Sequence, residues 1–170
     1  MAETCHECHG EDGNSLSSSY PKLAGQYADY LIKQIRDFKS GARENAVMTI
    51  MARGLSDAAF VDIAAHFAVS KPVPGEGRDN PRGRELFLNG DAGKGVPACV
   101  GCHGANGRGV VSGSVIYPAI GGQQVVYLRE QLRNWRNGGR RNSAGGVMNE
   151  VAKPLTDDEI AALAEYVGSL

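Results

Sequence analysis

The sequence contains no run of apolar residues long enough to span a bilayer, so the chain as written holds no helical membrane segment. It has no excess of either charge: 18 lysines and arginines face 19 aspartates and glutamates, a formal net charge of -1, and nothing in that balance points to nucleic acid. It also lacks the alternation of apolar and polar residues that marks a strand. Apolar positions recur instead at intervals of three and four, and the fold class expected is all-α. The missing strand-and-helix frame removes thioredoxin-like thiol exchange as well. No secretory leader is visible, and only four residues precede the first cysteine.

Cysteine is scarce, and where it occurs is decisive. All four cysteines fall in two motifs, Cys5-His6-Glu7-Cys8-His9 and Cys99-Val100-Gly101-Cys102-His103. Cys-x-x-Cys-His is the attachment signature of c-type haem. Two thiols three positions apart can each form a thioether to one vinyl group of the same porphyrin, and the adjacent histidine then falls beneath the iron. Two covalently bound haem c groups are therefore expected, one on Cys5 and Cys8 and one on Cys99 and Cys102. A structural zinc site fits poorly, because the two pairs are far apart for a zinc module and zinc gives no reason for a histidine after each. Haem of this kind is attached outside the cytoplasm in bacteria. A periplasmic location is expected, with a removed leader that this numbering omits.

Aligning the motifs turns the rest of the chain into an internal repeat. Tyr20-Pro21 matches Tyr117-Pro118, Gly25-Gln26 matches Gly122-Gln123, and Tyr30-Leu31 matches Tyr127-Leu128. Gln34, Ile35 and Arg36 match Gln131, Leu132 and Arg133; Phe38 matches Trp135; Arg43 and Asn45 match Arg140 and Asn142. After three extra residues in the second copy, Val47-Met48 matches Val147-Met148 and Leu55-Ser56-Asp57 matches Leu155-Thr156-Asp157. The Pro- and Gly-rich stretch between the copies reads as a linker. The division expected is a first domain over 1–70, a linker over 71–78 and a second domain over 79–170. Domains this small have thin cores, and a covalently held porphyrin supplies an apolar plate to pack around.

Tyr27, Tyr30, Leu31, Ile35 and Phe38 share one face of a helix predicted to end near Gly41, and Leu128, Leu132 and Trp135 do so in the second copy. A terminal helix follows in each, started by Ser56 and by the capping-box spacing Thr156-Asp157-Asp158-Glu159. Pro81 suits the first turn of another helix carrying Leu86 and Phe87. The glycine-rich stretches at 10–13 and 104–113 read as irregular loops.

Each haem iron takes two axial ligands, and His9 and His103 supply the first. The repeat selects the second. Met48 and Met148 occupy matching positions, whereas Met51 corresponds to Val151, so Met48 is chosen over Met51. With both positions filled, substrate finds no open site and the chemistry expected is one-electron transfer, not catalysis. His6 is expected to be exposed, and His66 to be an ordinary helix residue. Pro21 and Pro118 are placed to offer backbone carbonyls to the ligand histidines, and Arg43 and Arg140 could pair with haem propionates. Lys33, Arg36, Lys39 and Arg43, with Arg129, Arg133, Arg136 and Arg140, follow helical spacing and read as wet helix faces in preference to steering surfaces.

These residues resemble the c4-type dihaem cytochromes, built from two class I cytochrome c domains. The resemblance rests on Cys-x-x-Cys-His-Gly, Tyr-Pro-x-x-x-Gly-Gln-x-x-Tyr-Leu, Arg-x-Asn with the methionine, and Leu-Ser/Thr-Asp with the terminal helix. It implies proline carbonyls that orient the axial histidines, haems close enough for rapid exchange, and a carrier between respiratory redox proteins such as an electron donor and a terminal oxidase, often near the membrane. Peripheral membrane association is compatible with this, and the oligomeric state stays open. A dihaem subunit of a flavocytochrome-type dehydrogenase and, more remotely, a dihaem peroxidase are the alternatives. Class I domains usually begin with a helix crossing the C-terminal one, which the residues before Cys5 cannot supply. The helix over Asp57–Val69 is therefore expected to be incompletely covered, or covered by another element.

Overall fold

The structure, a computed structural model, describes residues 3–170. Four helices form the N-terminal half: α1 (Glu3–His9), α2 (Ala28–Ser40), α3 (Ala46–Arg53) and α4 (Asp57–Val69). The C-terminal half holds α5 (Pro81–Asn89), α6 (Val100–His103), a two-stranded antiparallel ribbon of β1 (Val110–Ser112) and β2 (Val115–Tyr117), then α7 (Val125–Asn137), α8 (Val147–Ala152) and α9 (Asp157–Gly168). The order α1-α2-α3-α4 recurs as α6-α7-α8-α9, so the sequence repeat is a repeat of structure.

Local chemistry explains the ends. The Ser56 hydroxyl accepts from Ala59 N–H at 3.2 Å and starts α4. Thr156 and Glu159 close a reciprocal capping box at the start of α9. Asn80 caps α5 through Arg82 and Gly83 N–H, and Pro81 occupies the first turn, where its missing donor costs nothing.

Each half buries its own core. In the first, Leu31 of α2 meets Ala59, Ile63, Ala64 and Phe67 of α4. In the second, Leu128 and Trp135 of α7 meet Ile160, Leu163, Ala164 and Val167 of α9, while Leu86 and Phe87 of α5 close the other side. The two terminal helices differ where α5 lies. Ala162 and Tyr166 of α9 are buried beneath it, and the matching residues of α4, Asp62 and His66, are exposed along with Val61. Coverage of α4 is thus partial on this side, one of the two outcomes that the class I resemblance implies, and besides α2 it is reached by α1, whose His6 ring lies 5.5 Å from that of His66.

Two features depart from the sequence reading. The stretch expected to be an irregular loop at 104–113 enters the β1–β2 ribbon, in which Val110 pairs with Tyr117 and Ser112 with Val115. Neither strand has a buried face, so no alternation could announce them. Residues 71–80 carry no regular element, but they are packed: a Cβ on Gly75 would lie 1.9 Å from the Gly168 carbonyl oxygen, and one on Gly77 2.3 Å from that of Glu165. A close approach of this kind admits only glycine.

Candidate haem sites and the interface between them

The two motifs fold alike. Cys5, Cys8 and His9 ride on α1; Cys99 precedes α6, which carries Cys102 and His103. One helical turn, held by His103 N–H to Cys99 O at 2.9 Å, brings cysteines and histidine together. All four cysteines are half-buried. Before attachment, burial pushes the Cys5 thiol up and that of Cys99 to about 11.

Both histidines are buried, and each ring nitrogen Nδ1 meets a proline carbonyl: His9 to Pro21 O at 2.8 Å and His103 to Pro118 O at 2.9 Å. A carbonyl only accepts, so Nδ1 carries the proton and Nε2 carries the lone pair. Burial lowers the pKa of both rings, against an opposing pull from the proline carbonyls. Nε2 takes no hydrogen bond from the described residues in either case. A neutral imidazole with its second nitrogen fixed and its first free suits an iron ligand, and thiols one turn away suit a porphyrin's vinyl groups.

Met48 and Met148 begin matching short helices and are half-buried, whereas Met51 is 36% exposed. Asn45 Oδ1 accepts from Val47 and Met48 N–H at 3.1 and 3.0 Å. In the second half Asn142 does not cap its helix; Ser143 Oγ accepts from Met148 N–H at 3.2 Å instead. Among the described residues no cluster of three His, Cys, Asp or Glu side chains could hold a free metal ion.

The Cytochrome c family model matches residues 81–170. Cytochrome c4 of Pseudomonas aeruginosa is 40% identical over 172 residues, covering 99% of this chain and 85% of that protein. This chain belongs to the cytochrome c4 family. The crystal structure of reduced recombinant cytochrome c4 from Pseudomonas stutzeri superposes with a TM-score of 0.93 at 38% identity, over 99% of this chain and 94% of the other. The thiosulfate dehydrogenase electron acceptor of Thiomonas intermedia is 37% identical over 177 residues, 99% of this chain and 79% of its own. The chain is thus an electron-transfer cytochrome with covalently bound haem c, two groups matching its two motifs.

Between the halves of this cytochrome lies a polar network that obeys the repeat. Arg43 donates to Gln34 in its own half and to Tyr127 and Gln131 across the interface, at 2.8, 2.9 and 3.0 Å. Arg140 donates to Gln131 in its own half and to Tyr30 and Gln34 across it, at 2.9, 3.1 and 3.0 Å. Each guanidinium also covers an aromatic ring, Phe38 at 4.5 Å and Trp135 at 4.3 Å. Burial raises the Tyr127 pKa, but the two guanidiniums outweigh it and hold the hydroxyl below its ordinary range. The arginines read as propionate partners thus also bridge the two halves. Every nitrogen of Arg140 is engaged, its Nε by Asn142 at 2.9 Å.

One expectation needs correction. His6 is half-buried, not exposed, with its Nε2 enclosed and lacking a partner among the described residues, because α4 brings His66 and Phe67 against its ring. The basic stripes are wet helix faces at Lys33, Arg36, Lys39 and Arg133, which are exposed, while Arg43 and Arg140 turn into the interface; local partners hold several of them, with Lys33 paired to Asp37, Lys39 Nζ donating to Leu55 O at 2.6 Å and Arg136 to Leu155 O at 3.0 Å. Sequence reasoning missed the interface role of Gln34 and Gln131. Their signal was present, since both sit on the apolar face of α2 or α7 at the same point of the repeat, where a solvated residue has no place.

Proposed function

We propose that this cytochrome moves single electrons through two His/Met-ligated haems in two domains, 1–70 and 79–170, joined by the 71–78 segment. Cys5 and Cys8 hold one haem and Cys99 and Cys102 the other; His9 with Met48, and His103 with Met148, are the axial pairs. The haem supplies the one-electron couple. The polypeptide buries and orients the imidazoles, keeps each Nδ1 proton on a proline carbonyl, and starts the methionine helices at matching points. The observation that carries this reading is the paired His9–Pro21 and His103–Pro118 hydrogen bonds, which fix both rings in one tautomer.

The setting is the periplasm, and the partners are a respiratory donor and a terminal oxidase. A second reading has a specific support: a relative at 37% identity is named as the electron acceptor of thiosulfate dehydrogenase, so a periplasmic dehydrogenase is the competing donor. A partner dehydrogenase co-purifying with the native protein would favour it over the freely diffusing carrier. A peroxidase needs an open iron, which matching methionines deny.

A redox titration followed by visible and near-infrared spectroscopy tests the ligands. Two haems, each showing the sulfur-to-iron charge-transfer band when oxidised, are expected. Met48→Ala and Met148→Ala should each remove one band and let that haem bind carbon monoxide; Met51→Ala should remove neither. Loss of a band in Met51→Ala and retention in Met48→Ala overturns the assignment.

A further inference from the structure

We propose that Gln26 and Gln123 are positioning residues that reach across the interface to tune the axial histidine of the opposite half. The inference rests on His9 and His103 being the iron ligands. Gln26 belongs to the first half, yet its Oε1 accepts from Ala119 N–H at 3.1 Å and its Nε2 donates to Ala119 O at 2.8 Å. Gln123 does the same in reverse, with Oε1 accepting from Lys22 N–H at 2.7 Å and Nε2 donating to Lys22 O at 2.9 Å. Each Oε1 is further held by the next backbone N–H, that of Tyr27 at 3.1 Å and of Gln124 at 3.0 Å.

The peptide groups involved matter. Ala119 follows Pro118, so the N–H that Gln26 accepts and the carbonyl that His103 donates to are two ends of one peptide unit, Pro118–Ala119. Likewise Pro21–Lys22 links Gln123 to His9. Resonance couples the ends of a peptide: withdrawing its proton toward an acceptor puts electron density on its oxygen, and hydrogen bonds in such a chain strengthen one another. A more basic proline oxygen pulls harder on the Nδ1 proton, makes the imidazole a stronger donor to iron, and favours the oxidised state. Each chain runs from a glutamine of one half through a peptide to a histidine of the other. Gln26 is buried and both glutamines sit just ahead of the helices that build the interface, α2 and α7, so any parting of the halves breaks both chains at once.

The consequence is a crossed effect that a merely structural contact does not produce. Gln26→Met keeps the length and loses all three side-chain hydrogen bonds; it should raise the midpoint potential of the second haem and leave the first unmoved. Gln123→Met should raise the first and leave the second. Gln26→Glu keeps the acceptor, so the second midpoint should stay at or below that of the unsubstituted protein, and this variant serves if the methionine one fails to assemble. The two midpoints are measured by spectroelectrochemical titration of the holoprotein, each assigned through its own haem methyl resonances. Equal shifts of both haems, a shift confined to the variant's own half, or no shift overturns the proposal. His103→Ala keeps the underlying ligand reading separate: a lost low-spin spectrum without a crossed shift in the glutamine variants sinks the relay alone, and an unchanged spectrum sinks both.

Discussion

Gly83 of α5 rests on the backbone of Ala162 in α9, so closely that a Cβ added at Gly83 would lie 2.1 Å from the Ala162 carbonyl oxygen and 2.8 Å from Tyr166 Cβ. The crossing of these helices closes the second core, in which Leu86 and Phe87 are wholly buried. Gly83→Ala cannot be absorbed by a rotamer change, because the obstacle is backbone. It should force the helices apart at a cost of about 1–3 kcal/mol, the usual range for overpacking. Thermal unfolding of the holoprotein checks this, and an unchanged melting temperature would show that α5 can slide. Glycine's lower helix propensity works the other way, worth about 1 kcal/mol in favour of alanine, so a net loss isolates the contact.

The repeat made much of this fold readable before any coordinates, because matching positions weigh more than the propensity of any residue. The start of α9 at Asp157 and the Pro21 and Pro118 acceptors agree with it, while α5, which has no counterpart in the first half, was announced by Pro81 alone. What escaped notice depended on partners far away in sequence. Gln34 is merely polar until Arg140 and Asn142 arrive from the other half. His6 is merely a motif residue until α4 places His66 and Phe67 beside it. The β1–β2 ribbon buries no face, so it has no hydrophobic period to read.

Asn45 and Asn142 hold the same place in the repeat and do different things, so equal substitutions should have unequal effects. Asn45 caps α3 next to Met48. Asn142 is released from that duty by the 3-10 turn Ala144–Gly146, and its Nδ2 donates to Gln34 and Asp37 across the interface at 2.9 and 2.5 Å. Asn45→Ala should cost about 1 kcal/mol, the ordinary value of an N-cap, and should perturb the first haem's sulfur-to-iron band without parting the halves. Asn142→Ala should leave α8 in place and loosen the interface. Chemical denaturation and the radius of gyration from small-angle scattering separate the two outcomes; identical behaviour would mean that the turn before α8 changes nothing.

Glu159 joins three segments through one carboxylate. It closes the capping box of α9 through Thr156 N–H at 3.0 Å, and its other oxygen accepts from Arg82 at 2.7 Å and Lys94 at 2.6 Å. Burial alone would raise its pKa, but Lys94, Thr156 and Arg82 outweigh that and bring it from 4.5 down to about 2. A carboxyl whose pKa is depressed in the folded state stabilises fully above its unfolded value, and that contribution is lost as pH falls through the folded one. The window here runs from 4.5 down to about 2. Glu159→Gln keeps a cap acceptor and removes the charge. The variant should be less stable than the unsubstituted protein near neutral pH by about 1–2 kcal/mol, a charge-assisted bond discounted for the partly exposed Arg82 and Lys94. The difference should shrink as pH is lowered across that window, and added salt should shrink it at neutral pH too. Denaturation curves of both proteins along a pH series would show it; a gap that stays constant from neutral pH to the bottom of the window would mean that the cap geometry, and not the charge, ties α5 and the Lys94 turn to α9.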